Sequence, residues 1–103
     1  MKKNQIIKEI QYLNQKFEDT GFKFISLFGS YARGTDDPFS DIDLTYKIDH
    51  NIFFKDDAFA KLERIEEIKK ELEWKFHRHI DLIPANSKNP FIQESLKEEQ
   101  IFI

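Results

Sequence analysis

The sequence predicts an α+β fold of two layers, helices laid against a small sheet, and three observations carry that prediction. Ile6, Ile10, Leu13 and Phe17 recur at spacings of four, three and four, which puts them on one face of a helix over about residues 3–18. Phe59, Leu62, Ile65, Ile68, Leu72 and Phe76 repeat in the same way and mark a second amphipathic helix over about 56–75. Between the two, residues 22–28 are almost continuously apolar and residues 40–47 alternate, the patterns of a strand covered on both faces and of a strand with one face in the core.

Taken in order, the first helix ends at Asp19-Thr20-Gly21, where Gly21 can adopt the left-handed conformation of a helix C-terminus. The apolar strand 22–28 should be central in the sheet. In the alternating strand Ile42, Leu44 and Tyr46 point one way and Asp41, Asp43 and Thr45 the other, so one face is core and the other is free for chemistry. The long helix carries Lys61, Glu63, Arg64, Glu66, Glu67, Lys69, Lys70 and Glu71 on its remaining surface, a solvated face. Trp74 and Phe76, at its end, are read as core. His79-Ile80-Asp81-Leu82-Ile83 is a third strand stopped by Pro84, since proline cannot donate to a ladder. Pro90 suits the first turn of a short helix through about Glu98, and Ile101-Phe102-Ile103 forms an edge strand or docking tail.

With 103 residues, of which 40% are hydrophobic and eleven are phenylalanine, the chain is expected to fold as one domain, residues 1–103, with no room for a second substrate-binding domain. A domain this small buries only about two thirds of its unfolded surface, so a partner surface would help it. The net charge of −3 argues against gripping long nucleic acid by charge. The absence of cysteine excludes disulfides, thiolate metal sites and cysteine nucleophiles. The N-terminus mixes charge into what would have to be an apolar signal segment, and no window approaches a membrane span. A cytoplasmic protein is expected.

The chemistry concentrates between the first two strands, in Gly29-Ser30-Tyr31-Ala32-Arg33-Gly34 and Ser40-Asp41-Ile42-Asp43. Residues two apart on a strand face the same way, about 6.6 Å apart along the axis, so Asp41 and Asp43 project side by side. If the Asp81 strand is their neighbour, a third carboxylate reaches the same space. Three unpaired carboxylates repel one another unless a cation compensates, and magnesium, which prefers hard oxygen ligands and completes its shell with phosphates, is the natural one. Two such ions can hold the attacking oxygen and the leaving pyrophosphate on opposite sides of an α-phosphorus. Asp41 and Asp43 would bridge them, and Asp81 would serve the catalytic ion and orient or deprotonate the incoming hydroxyl. Gly29 lets a phosphate approach the backbone, the Gly29 and Ser30 amides offer donors to it, and the Ser30 hydroxyl adds another. Arg33 either neutralises triphosphate charge or is simply solvated, and Gly34 ends the short helix. Asp36 and Asp37 read as solvated loop residues. His77 and His79 alternate with Asp81, which makes a transition-metal site conceivable. The helix-to-strand junction there favours exposed histidines instead, with a phosphate contact by His79 as a further option.

Leu27-Phe28-Gly29-Ser30-Tyr31-Ala32-Arg33-Gly34 followed by Ser40-Asp41-Ile42-Asp43-Leu44 resembles the signature of the DNA polymerase beta-like nucleotidyltransferase superfamily. The order of helices, the Ile80-Asp81-Leu82-Ile83 strand and the terminal Asn89-Pro90-Phe91-Ile92-Gln93-Glu94-Ser95-Leu96 extend the similarity over nearly the whole chain to its minimal nucleotidyltransferases (MNT). That resemblance implies a small mixed β-sheet with helices packed on one face. It also implies an antitoxin that binds a helical HEPN-domain ribonuclease toxin and transfers AMP from ATP to a tyrosine of it. By the same resemblance Ser30 serves phosphate binding and Asp41, Asp43 and Asp81 bind Mg2+. None of those motif positions departs from the active pattern. Two other functions compete: a binding module that neutralises its partner by occlusion, and a small-molecule transferase of the aminoglycoside-modifying type, for which a homodimer interface would supply the acceptor pocket.

Overall fold

The computed structural model describes residues 2–103. Helix α1 spans Lys3–Lys16, strand β1 Phe22–Phe28, helix α2 Gly29–Arg33, strand β2 Ile42–Ile48, helix α3 Ala58–Phe76, strand β3 Ile80–Pro84, helix α4 Pro90–Lys97 and strand β4 Ile101–Phe102. The strands form one mixed sheet in the order β3-β2-β1-β4. β1 runs antiparallel to β2 and β4, whereas β2 and β3 are parallel and are joined through α3, as a parallel pair requires a crossover.

Helices α1 and α3 cover one face of this sheet. Ile6 and Ile10 from α1 and Ile68, Leu72 and Phe76 from α3 meet Phe24, Leu27, Ile42, Leu44 and Ile80 from the strands in one buried core. α1 leads through a short 3-10 turn, Glu18–Thr20, into Gly21 at φ 85°, the left-handed corner the sequence predicts. α3 starts at Ala58, two residues later than its periodicity predicts, because the Asp57 carboxylate caps it by accepting from the Ala60 N–H at 2.9 Å. Among the described residues no helix is long and apolar enough to cross a membrane.

Three expectations about side-chain placement change. Phe59 and Leu62 stay exposed, so the core-facing stripe of α3 is buried only toward its C-terminal half, at Ile68, Leu72 and Phe76. Trp74, read as core, is 81% exposed while Phe76 is buried: two residues turn a helix by about 200°, so Trp74 faces away from the side that Leu72 and Phe76 bury. In β1 the register with β2 shifts between Phe24 and Ser26, a bulge at Ile25. The extra residue switches the faces, so that Phe24 and Leu27, three apart, both enter the core, and Ser26 and Phe28 turn to the opposite side. There Ser26 Oγ meets Thr45 Oγ1 at 2.6 Å and donates to Gln100 Oε1 at 2.8 Å, which ties the residue before β4 to the centre of the sheet.

Candidate active site

The face opposite α1 and α3 carries the polar residues of all three long strands. Asp43 is the register partner of Phe28 on one side and of Asp81 on the other, so the end of β1 and the beginnings of β2 and β3 converge at one edge of the sheet. Asp41 sits just before β2 and is exposed. The backbone leaves β1 through Gly29 at φ 74° and enters α2 immediately. A Cβ on Gly29 would lie 2.1 Å from Asp43 Oδ2. The glycine is therefore demanded twice, by its left-handed backbone and by the carboxylate packed against it. Gly34, also at φ 74°, closes α2.

These residues line a pocket of about 380 Å³ formed by Phe28, Gly29, Ser30, Arg33, Asp41, Asp43 and Asp81, with Ile83, Ile92 and Ser95 on its far side. Asp43 is pushed up to about 7, first by burial, then by its side-chain hydrogen bond with Asp81 and by repulsion from Asp81 and Asp41, with Arg33 opposing. Burial and the neighbouring carboxylates thus let Asp43 keep a proton, shared in its hydrogen bond toward Asp81, up to about neutral pH when no cation compensates. Displacing that proton is what a hard divalent ion would do, so the donor set fits one.

The expected residues are thus brought together, with qualifications. Asp43 and Asp81 are in contact, and Asp41 reaches Asp81 from the rim, its carboxylate within 4.8 Å of it. Ser30 is half-buried in the pocket wall. Arg33 lines the pocket, but its guanidinium Nη1 is 3.1 Å from Glu98 Oε2 just beyond α4, a partner that sequence reasoning missed because it depends on where α4 docks. Ile92 and Ser95 were missed for the same reason.

The histidines separate. His77 caps α3 at φ 53°, which removes it from any strand alternation, so no His-x-His-x-Asp face forms. His79 does reach the site: its Nδ1 lies 3.5 Å from Asp81 Oδ1 and 3.8 Å from Asp41 Oδ2. Its backbone carbonyl accepts from the Ile42 N–H at 2.9 Å, which fixes the chain beside β2.

Comparison with known proteins shows the family and the fold. Residues 5–103 match the family described as polymerase beta, nucleotidyltransferase. The chain is 37% identical to the Methanocaldococcus jannaschii protein named "Putative protein adenylyltransferase MJ1379", over the whole of both chains. Two solved structures share the fold. A "putative minimal nucleotidyltransferase" superposes with a TM-score of 0.67 at 21% identity, covering 98% of this chain and 95% of that one. A toxin-antitoxin structure with AMP-PNP superposes with a TM-score of 0.60 at 24% identity, covering 99% of this chain and 72% of that one.

Proposed function

The chain belongs to the polymerase beta nucleotidyltransferase family, in its minimal form, and from that premise we propose that it transfers AMP from ATP to a protein hydroxyl, a tyrosine of a HEPN-type toxin with which it assembles in the cytoplasm as antitoxin. The observation that carries the reading is the Asp41, Asp43 and Asp81 group facing Gly29 and Ser30 across one pocket. Relatives of the same length named as protein adenylyltransferases and a toxin-antitoxin neighbour solved with AMP-PNP support the acceptor class and the partner.

In this reading residues 1–103 act as one domain. The Gly29 and Ser30 amides and the Ser30 hydroxyl bind the β and γ phosphates, and Arg33 offsets triphosphate charge. Asp41, Asp43 and Asp81 would hold two Mg2+ ions, whose charge would screen the triphosphate and favour departure of pyrophosphate. Asp81 orients the acceptor hydroxyl and takes its proton as the new bond from oxygen to the α-phosphorus forms and the bond to the bridging oxygen breaks.

The test is mass spectrometry of the partner after incubation with this chain, ATP and magnesium. Addition of AMP mass, lost with Asp41→Asn or Asp43→Asn, is expected. An unmodified partner in a verified complex refutes transfer. If those variants still neutralise the toxin in cells, occlusion rather than catalysis is the antitoxin activity.

A further inference from the structure

The geometry points to His79 as a metal ligand: its Nδ1, with Asp41 and Asp81 carboxylate oxygens, forms a mixed nitrogen–oxygen position suited to a divalent transition ion such as zinc, for which Mn2+ serves as a paramagnetic probe. The inference rests on the metal-binding part of the proposed function and specifies one of its donors.

Three features carry it. One atom each from Asp41, His79 and Asp81 all lie within 4.8 Å of one another. The Nδ1 distances of 3.5 and 3.8 Å to the two carboxylates exceed by only a few tenths of an ångström the roughly 3.3 Å between ligand atoms around a tetrahedral ion with bonds of about 2.0–2.1 Å. The third feature is on the far side of the ring, where Nε2 faces Glu73 Oε2 at 4.0 Å, and that oxygen is itself held by the Ile80 N–H at 3.1 Å. At 4.0 Å this is a charge contact rather than a hydrogen bond, and a shift of about 1 Å would give the carboxylate–histidine pair that orients metal-bound histidines. Glu73 is thus a positioning residue, carried on the last turns of α3, and His79 is placed by the β2–β3 ladder. An imidazole donor favours later first-row ions over magnesium, which takes oxygen.

The experiment uses the full chain loaded with Mn2+ alone. Electron spin echo measurements should show 14N coupling from one imidazole, lost in His79→Ala and retained in His50→Ala and His77→Ala, the chain having three histidines. Calorimetric titration should show Mn2+ affinity falling about tenfold or more in His79→Ala and less in Glu73→Gln, with Mg2+ affinity changing less than about threefold. Thermal unfolding confirms that the variants fold. Mn2+ that binds, and is lost in Asp41→Asn and Asp81→Asn, but shows no nitrogen coupling overturns this inference and leaves the proposed function intact. Failure of both Mn2+ and Mg2+ to bind the folded wild-type chain overturns both.

Discussion

The α-carbon of Gly29 rests against the Asp43 carboxylate, so close that a methyl group there would lie 2.1 Å from Oδ2. The Asp43 Cγ and Cβ would also lie only 3.0 and 3.3 Å from such a methyl, so the whole side chain crowds it. Gly29→Ala should therefore displace the acid as well as strain a backbone at φ 74°. A stability loss of about 1–3 kcal/mol in urea unfolding and a fall in AMP transfer of at least about a hundredfold are expected. Full activity in the variant would show that Asp43 need not sit where it does.

Asp43 also makes stability depend on pH. Its folded value, about 7, stands above its ordinary 3.8, so between those values the native chain holds a proton that the unfolded chain releases. The stabilising contribution is present below about pH 4 and lost as pH rises through 7. The metal-free protein should thus lose thermal stability between pH 5 and pH 8 by this route, and a divalent ion should restore more at pH 8 than at pH 6. Melting curves with and without added metal measure both.

Asp43→Asn is expected to separate stability from activity. The amide keeps a neutral donor toward Asp81 whatever the pH, so at pH 8 without metal the variant should be equal to or up to about 1 kcal/mol more stable than wild type, the gain being discounted for the solvent that reaches this half-buried group. Transfer should be abolished. A variant markedly less stable at pH 8 contradicts the shared-proton account.

The Arg33–Glu98 pair at 3.1 Å is surface-exposed, so removing either partner should cost less than about 1 kcal/mol. On the proposed function its effect falls on nucleotide binding. Arg33→Ala should raise the KM for ATP several-fold with little change in melting temperature, and Glu98→Ala, which frees the guanidinium, should not raise it. Steady-state kinetics at saturating partner distinguish the two.

Thr45 is buried and shares a hydrogen bond with Ser26. Thr45→Val keeps the shape and removes the hydroxyl, for which a loss of about 1–2 kcal/mol in urea unfolding is expected. A neutral result would show that the Gln100 bond alone satisfies Ser26.

What could be read in the sequence was what local pattern encodes. The 3.6-residue periodicity found α1 and α3, alternation found the faces of β2, and two aspartates two positions apart at the start of that alternating strand found the acidic face. What could not be read depends on contacts far apart in the chain. The bulge at Ile25 obeys the register with β2 and leaves no mark in Phe24-Ile25-Ser26-Leu27 beyond near-continuous apolarity. Glu98 meets Arg33 across 65 positions, and Ile92 and Ser95 reach the pocket only once β4 has paired with β1. His79 lay between: its alternation with Asp81 was visible, but Glu73 facing it from α3 was not. Trp74 failed for a simpler reason, an aromatic assumed to be core although its helical angle opposed Leu72 and Phe76.

That outward placement gives the molecule a built-in optical label. Trp74 is the sole tryptophan and already sees mostly water when the chain is native, so its emission colour should scarcely change on denaturation. Fluorescence excited in this ring will instead shift to the blue only where another protein covers the end of α3, and so reports, without any attached dye, whether that end lies within an interface.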